Sequence, residues 1–274
     1  MLTHSPVVPS SYPLGILGCG RMAEAMLSRL LANGYGSERI IVSARSPERQ
    51  AYLQAMYGVT VASNVDVAAA KTLMVAVKPQ VFTDIESELA DTPVVQQPGT
   101  LISIMAGIAS PRLRRLFPQR LIFRAMPNTP AQVGAGVIAL ARDSAAPEAE
   151  VSAVQALLSV LGQVVLLNES QMDAVTALSG SGPAFIALMI EALCDAGVAV
   201  GLSRSLTQVL VYGTIAGTVQ LLEERKLHPA QLKDAVTSPA GTTIAGIEVL
   251  EAAGVRGTLI QTVKAAYQRA QALN

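Results

Sequence analysis

The sequence predicts an α/β domain with a parallel sheet, followed by a domain made only of helices. Short runs of Ile, Val and Leu without polar alternation recur through the first half. Such runs are typical of parallel strands that helices cover on both faces. From about Ser170 onward the strand signal ends and long helical patterns follow one another. A chain of 274 residues is long enough for two modest domains.

The strand candidates of the first half alternate with helical stretches. A helix follows the first strand and ends at Gly34, and Pro47 marks the start of another, since proline is favoured in a first helical turn. The predicted strands are LGIL (14–17), RIIVSA (39–44), VTVA (59–62), TLMVAV (72–77), LISIMA (101–106), RLIFRA (120–125) and GVIALA (136–141).

The second half is predicted to be helical throughout. We place the domain boundary in LGQVVLLNES (161–170), which gives domains 1–165 and 166–274. The expected helices are Gln171–Leu178, Pro183–Val200, Arg204–Glu224, Pro229–Val236, Thr243–Ala253 and Arg256–Leu273.

Two long helices in the middle of that half are apolar around most of their circumference. A second subunit is the favoured cover, which predicts a homodimer; ordinary packing within one chain is the alternative. The run AFIALMIEALCDAGVAVGL comes nearest to membrane-spanning length, but Glu191 and Asp195 interrupt it. We interpret it as a buried core helix and expect no membrane partner.

The composition excludes several classes of function. Lys plus Arg equals Asp plus Glu at 20 each, so no basic surface for nucleic acid is expected. Two cysteines, Cys19 and Cys194, fit a reducing, cytoplasmic setting, and without a Cys/His cluster no metal site is expected. The leader 1–13 lacks the basic and apolar parts of a signal peptide and is predicted to be a loose arm.

A glycine motif directly follows the first strand and opens a helix. It reads Gly18-Cys19-Gly20-Arg21-Met22-Ala23, a G-x-G-x-x-A match. Gly18 makes the tight turn, Gly20 lets a pyrophosphate approach the backbone, and Ala23 lets the helix pack on the strand. With Arg21 and Met22 at the helix N-terminus, where N–H groups bind phosphate, the motif predicts a Rossmann-type dinucleotide site.

The end of the second strand predicts which dinucleotide binds. An NAD site places Asp or Glu there to hold the ribose 2′-hydroxyl, but residues 42–46 contain no carboxylate. Ser43 and Arg45 suit a 2′-phosphate instead, Arg45 through a bidentate fork. We therefore predict NADP, with NADPH preferred over NADH. The alternative is that Arg45 is a surface charge ahead of a helix.

Further coenzyme contacts are expected where other strands end, because strand C-termini of such a sheet face the ligand. The predicted contacts are Ala76, Val77, Lys78 and Pro79 after the fourth strand, Ala106 and Gly107 after the fifth, and Asn64 after the third. A surface role for Lys78 is favoured over general acid catalysis. RAMPNTPA (124–131) predicts a rigid turn that supports the nicotinamide end.

The scarcity of histidine restricts the kinds of reaction that the site could catalyse. Only His4 and His228 occur, and neither is placed like a catalytic base. Ketone reduction needs a proton donor for the developing alkoxide. A protonated imine accepts hydride and becomes an amine directly, so its site needs only orientation and a hydrogen-bonding partner for nitrogen.

The stretch TSPAGTTIAG (237–246) meets those needs. It contains hydroxyl groups but no ionisable side chain. A helix is predicted to begin at Thr242 or Thr243, and its free N–H groups suit a substrate carboxylate. The glycine cluster LSGSGPAF (178–185) is interpreted either as a tight packing turn or as a lining beside the nicotinamide.

Together these segments resemble the pyrroline-5-carboxylate reductase family over nearly the whole chain from Leu14. The resemblance depends on GCGRMA, VAVKPQ, RAMPNTPA, ALSGSGPAF and VTSPAGTTIAGIEVLE. It implies NAD(P)H-dependent reduction of 1-pyrroline-5-carboxylate to L-proline. It also implies a helical half that interlocks into a dimer, often within a decamer.

The family's site residues transfer onto matching positions of this chain. Thr243 would hydrogen-bond the ring nitrogen, and Ser238 with the Gly241–Thr242 backbone would hold the carboxylate. The resemblance thus implies Thr243 and Ser238 as catalytic residues. Ala240, also in the substrate loop, stands where many members carry glycine, and we expect no loss from it.

Two alternatives stand beside this interpretation. A 3-hydroxyacid dehydrogenase-type enzyme also joins a dinucleotide domain to a helical one, but it needs a catalytic lysine. The helical half offers Lys226, Lys233 and Lys264, none of them in a glycine-rich loop. The second alternative is a non-catalytic scaffold that binds NADP and a partner.

Overall fold

A computed structural model describes residues 13–273 of the chain. By their contacts these residues divide into two compact units, 13–181 with 266–273, and Gly182–Ala265. The domain boundary after residue 165 stays a prediction. The predicted loose arm and His4 lie outside the described residues.

One eight-stranded sheet forms the centre of the first unit, in the order β3-β2-β1-β4-β5-β6-β7-β8. Strands β1 to β6 are parallel to one another, in the order of a doubly wound dinucleotide-binding sheet. The strands are β1 Leu14–Leu17, β2 Ile40–Val42, β3 Thr60–Val61, β4 Thr72–Val75, β5 Gly99–Ser103, β6 Arg120–Pro127, β7 Gly136–Ala141 and β8 Gly162–Leu167.

Strand β7 departs from the parallel arrangement. It runs antiparallel to β6, with Arg124 opposite Ala141. Residues 128–135, which include a 3₁₀ turn at Thr129–Val133, connect the two strands. A link this short cannot carry the chain back across the sheet for a parallel pairing, so the two strands form a hairpin.

Strand β8 lies within the segment 161–170, for which no strand was predicted. The strand pairs in parallel with β7 from Gly162 to Leu167. It lies at the edge of the sheet, and its residues are partly or largely exposed. A side chain at Gly162 would meet the carbonyl oxygen of Gly136 at 2.0 Å.

The sheet is covered on both faces, as predicted. Adjacent residues of one strand point to opposite sides, so Ile16 and Leu17 of β1 belong to different buried clusters. One cluster joins the sheet to helices α1, α2 and α6, and the other joins it to α3, α4 and α5. The helices are α1 Arg21–Ala32, α2 Pro47–Tyr57, α3 Asn64–Ala68, α4 Phe82–Leu89, α5 Ser110–Leu116, α6 Glu148–Ser159 and α7 Met172–Val175.

The second unit consists of helices among the described residues. A turn of π-helix, Thr176–Gly180, precedes it. Its longest helices, α8 and α9, pack against each other. The helices are α8 Gly182–Ala199, α9 Arg204–Arg225, α10 Pro229–Ala235, α11 Thr242–Ala252 and α12 Val255–Gln271, the end of α12 being grouped with the first unit.

The apolar surface of α8 and α9 is largely exposed in the single chain. Cys194 is the one buried residue of α8, and Thr207 that of α9. Packing within its own chain therefore does not bury α8, and cover by a second subunit, the favoured prediction, stays a prediction. Two segments, Glu169–Ala199 and Arg204–Arg225, are long and apolar enough to cross a membrane. Length and composition alone do not separate such helices from helices that a second subunit covers.

Candidate functional site

The glycine turn after β1 is held tightly against the end of β4. Gly18 has a positive φ of 85°, which favours glycine. A Cβ there would lie 2.4 Å from Val77 Cγ1 and 3.0 Å from Val77 Cα. Two predicted coenzyme residues that are far apart in sequence thus pack together.

Ser43 shapes this turn from the end of β2. Its Oγ accepts a hydrogen bond from the Gly18 N–H at 3.2 Å, and its carbonyl accepts one from the Cys19 N–H at 2.7 Å. The side chain is buried, with 4% exposed. The structure therefore gives Ser43 a role in fixing the glycine turn.

Helix α1 begins directly after the turn. Gly20 precedes its first turn and no side chain caps it, so first-turn N–H groups are available for an anion. A Cβ on Gly20 would meet no atom within 4 Å, and this open space suits the approach of a pyrophosphate. Ala23 is 1% exposed and packs in the core, whereas Arg21 is exposed.

Two arginines follow β2 and differ in their surroundings. Arg45 is exposed, and its guanidinium has no hydrogen-bond or ion-pair partner among residues 13–273. Arg49 donates from Nε to the carbonyl of Cys19 at 3.2 Å and pairs with Glu24. No sequence motif predicts a role for Arg49. The one indication in the sequence is that Arg49 lies in the first turn of a helix that follows β2.

The segment after β4 lies along the same edge of the sheet. The Ala76 N–H donates to the Leu17 carbonyl at 2.8 Å, which joins this segment to β1. Pro79 starts a 3₁₀ turn, Pro79–Val81, and Lys78 is the exposed residue before it. The Lys78 amine has no partner among the described side chains, as expected of a surface lysine.

The ends of β5 and β3 place the remaining predicted contacts. Gly107 has a positive φ of 73° and, with Ala106, forms a partly buried turn after β5. Asn64 is the first residue of α3, and its Nδ2 donates to Glu88 Oε2 at 2.7 Å. To reach a ribose, the Asn64 side chain would have to leave Glu88.

The segments RAMPNTPA and LSGSG meet in the first unit. Asn128 Nδ2 donates to Ser179 Oγ at 3.3 Å, and Asn128 Oδ1 accepts from the Val137 N–H at 3.0 Å. A Cβ on Gly180 would lie 2.9 Å from Met126 Cε. Gly180 ends the π-helical turn, a geometry that is frequent at functional sites.

The loop before α11 contains an unusual backbone conformation. Ala240 has φ 57°, in the left-handed region that costs a non-glycine residue about 1–2 kcal/mol. The small size of alanine alone predicts no loss at this position. The structure adds a conformational reason for glycine at this position.

Three hydroxyl groups of the same loop are free. Among the described residues the side chains of Ser238, Thr242 and Thr243 make no hydrogen bond. Other threonines of the helical unit donate to the carbonyl four residues earlier, namely Thr218, Thr237, Thr258 and Thr262. The unpaired hydroxyls are therefore available to a ligand.

The first turn of α11 supplies backbone donors. Gly241 precedes the helix, and its N–H donates to the Ser238 carbonyl at 3.1 Å. The Ala245 N–H donates to the Gly241 carbonyl at 3.4 Å. Within the described chain the N–H groups of Thr242, Thr243 and Ile244 remain without partners. A carboxylate could therefore bind these three N–H groups, but not the N–H of Gly241, which is already bonded to Ser238.

The loop also lacks charge, as its sequence indicates. The nearest acid and base before it, Lys233 and Asp234, pair with each other at 2.6 Å. In residues 13–273 no group of three or more His, Cys, Asp or Glu side chains could hold a metal ion. The local chemistry is therefore that of hydroxyl and amide hydrogen bonds.

Two family models match parts of the chain. Residues 169–273 match pyrroline-5-carboxylate reductase dimerisation. Residues 13–107 match NADP oxidoreductase coenzyme F420-dependent. The second match covers the glycine turn and the ends of β1 to β5.

Known proteins resemble the chain over nearly its full length. A pyrroline-5-carboxylate reductase of Synechocystis sp. is 48% identical over 269 residues, covering 96% of this chain and 98% of the relative. One of Pisum sativum is 40% identical, covering 98% of each chain. The crystal structure of a Plasmodium falciparum pyrroline carboxylate reductase with NADP bound aligns with a TM-score of 0.86 at 29% identity, over 97% of this chain and 99% of that one.

Proposed function

Because the chain belongs to the pyrroline-5-carboxylate reductase family, we propose that it reduces 1-pyrroline-5-carboxylate to L-proline with NAD(P)H, the final step of proline biosynthesis. It is accordingly an oxidoreductase with a Rossmann-type dinucleotide domain. The observation that carries the proposal is the charge-free loop before α11, which combines free hydroxyls with free N–H groups.

The chemistry proposed for this loop requires no acid or base of its own. When bound, the reduced nicotinamide would supply the hydride that adds to the carbon of the imine, whose nitrogen is already protonated. The Thr243 hydroxyl hydrogen-bonds the ring nitrogen, which becomes the amine. Ser238 Oγ and the N–H groups of Thr242 and Thr243 hold the substrate carboxylate, which the positive end of α11 favours. The Gly241 N–H supports the loop through Ser238 instead of binding the substrate.

Preference for NADPH is part of the proposal. Arg45 supports it, because an exposed guanidinium without a partner can form two hydrogen bonds to a 2′-phosphate. Ser43 is proposed to contribute to coenzyme binding indirectly, because its hydroxyl holds the turn at Gly18. Asn64, Val77, Ala106 and Gly107 remain proposed contacts along the edge of the sheet.

A homodimer, which assembles further into a decamer in the cytoplasm, is proposed for the whole protein. The exposed apolar side chains of α8 and α9 support it, for example Leu188 with 67% and Val209 with 70% exposed. The match of residues 169–273 to a dimerisation model points the same way. Sedimentation of the purified protein tests this, and a monomer at micromolar concentration would contradict it.

The test of the activity is a direct assay. Purified protein with NADPH and 1-pyrroline-5-carboxylate is expected to oxidise NADPH and form proline in equal amounts. A hydroxy acid with NADP should give no reaction. The converse result would favour the 3-hydroxyacid dehydrogenase alternative, although Lys233, one of its candidate lysines, is paired with Asp234. Tight NADPH binding without reduction of any imine would favour the non-catalytic scaffold.

A further inference from the structure

A polar cluster lies against the glycine turn and includes none of the predicted site residues. It consists of Glu24 from the first turn of α1 and of Arg49, Tyr52 and Tyr57 from α2. Glu24 Oε1 accepts from Tyr57 Oη at 2.8 Å and from Tyr52 Oη at 3.0 Å. Glu24 Oε2 accepts from Arg49 Nη2 at 2.5 Å. These four side chains thus connect α2 to α1, the helix that follows the glycine turn.

The guanidinium of Arg49 contacts the turn itself. Its Nε donates to the carbonyl of Cys19 at 3.2 Å, while its Nη2 binds Glu24. Its Cζ lies 5.1 Å from the centre of the Tyr52 ring, which fixes the plane of the group further. Arginine can make both bonds at once because its donors form a rigid fork.

The peptide between Cys19 and Gly20 is thereby held from both sides. Arg49 donates to the carbonyl of this peptide, which belongs to Cys19. The N–H of the same peptide, which belongs to Gly20, donates to the Gly18 carbonyl at 2.8 Å. The two glycines have no Cβ to restrict this peptide. Without Arg49 the carbonyl of this peptide would lose its side-chain partner, although Ser43 would still hold the N–H groups of Gly18 and Cys19. A less restrained peptide lowers affinity, because binding must then fix its orientation.

Arg49 is also electrostatically compensated. Burial opposes ionisation of Glu24, but hydrogen bonds from Arg49, Tyr57 and Tyr52 outweigh it and hold the pKa of Glu24 below its usual value. The ionised carboxylate neutralises Arg49, whereas Arg45 has no such partner. Arg45 is free to bind a phosphate, and Arg49 is committed to the turn.

We propose that Arg49, oriented by Glu24, is a positioning residue that fixes the glycine turn for the pyrophosphate shared by NADPH and NADH. The inference rests on the proposed function insofar as that function requires a dinucleotide. It differs from recognition of the 2′-phosphate, because the pyrophosphate is common to both coenzymes.

The test measures dissociation constants of NADPH and NADH for the full-length protein by fluorescence titration. Arg49→Met should weaken both coenzymes by the same factor, about 10-fold, because a charge-assisted bond to the turn is lost. Arg49→Lys should not rescue, since an ammonium keeps the charge without the fork. With saturating NADPH, kcat and the KM for the imine should stay unchanged. Arg39→Met is the matched control, because Arg39 also stacks on a tyrosine, Tyr35, without contacting the turn.

Three results would overturn the proposal: loss of NADPH affinity alone, rescue by Arg49→Lys, or unchanged affinity for both coenzymes. Should Arg49→Met fail to fold, Glu24→Gln tests the same link, because it removes the charge that orients Arg49. Its expected effect is a smaller, equal weakening of both coenzymes, and unequal weakening would contradict the proposal. A wild-type protein that binds NADPH but reduces no imine would refute the proposed function and leave this inference standing.

Discussion

The turn after β1 and the loop before α11 both place a glycine ahead of a helix, yet they are built differently. Gly20 and Gly241 each precede a first turn that no side chain caps. Both ends therefore offer N–H groups to an anion. The turn after β1 is fixed by three segments distant in sequence, through Ser43, Val77 and Arg49.

Among residues 13–273, the hydrogen bonds of the loop before α11 are short-range. Its backbone bond links Gly241 to Ser238, and Thr237 Oγ1 donates to the Lys233 carbonyl at 2.6 Å. Ser238 and Ala240 are exposed in the single chain. The difference teaches that the turn after β1 is organised by the packing of the sheet, whereas the loop before α11 depends on its own backbone.

The largest expected effect comes from the packed turn. Gly18→Ala forces a side chain against Val77 at a positive φ and should weaken NADPH binding by more than about 100-fold, with a loss of thermal stability. Gly20→Ala should weaken binding with an unchanged melting temperature, because its Cβ enters space kept for the ligand. Titration and thermal melts check both, and equal melting temperatures for the two variants would contradict the packing account.

Substitutions of hydroxyl residues in the loop before α11 should lower the rate of catalysis and leave the stability of the protein unchanged. Thr243→Ala is expected to lower kcat/KM for the imine by about 10–100-fold, since a hydrogen bond to the reacting nitrogen is lost. Thr243→Ser keeps the hydroxyl and should restore most of the activity. Thr258→Ala, whose hydroxyl donates to the Gly254 carbonyl just before α12, serves as the control. Normal kinetics of Thr243→Ala would refute the assigned role.

A smaller and selective effect is expected at Arg45. Arg45→Ala should weaken NADPH by about 10-fold and leave NADH almost unchanged, because only NADPH carries the 2′-phosphate. Coenzyme titrations measure both values. Together with Arg49→Met the experiment separates recognition of the phosphate from support of the turn. Equal weakening of the two coenzymes by Arg45→Ala would remove Arg45 from the 2′-phosphate site.

The smallest effect is expected at Ala240 and has the opposite sign. Ala240→Gly should raise the free energy of unfolding by about 0.5 kcal/mol, because relief of the left-handed conformation exceeds the added entropy of the unfolded chain. Ala245→Gly, inside α11, should lower it by about 1 kcal/mol. Chemical denaturation compares the two, and destabilisation by both substitutions would show that Ala240 carries no strain.

Much of the fold was predictable because its signals are local. Buried apolar runs identified β1 and β7 with their bounds, and the glycine motif after β1 identified the dinucleotide turn. Strand β8 was missed although its sequence GQVVLL contains four consecutive apolar residues, because the segment was interpreted as the link between two domains. The apolar circumference of α8 and α9 predicted a cover from outside their own helix pair, but the sequence alone does not decide between the same chain and a second subunit.

The parts of the site that were not predictable depend on distant contacts or on backbone angles. Glu24 and Arg49 are 25 residues apart, and only the folded chain brings the start of α2 to the first turn of α1. Burial of Ser43 follows from its bond to Gly18, which no spacing rule reveals. The size of Ala240 predicted tolerance, whereas its φ angle, which the residue type does not fix, indicates strain.

A crystal structure of the protein with NADPH and a proline analogue would test the central claim most directly. We predict that the ring nitrogen lies within hydrogen-bonding distance of Thr243 Oγ1 and that the carboxylate contacts the N–H groups of Thr242 and Thr243. An ionisable side chain bound to the ring nitrogen, with Thr243 elsewhere, would contradict the claim that this loop works without an acid or a base.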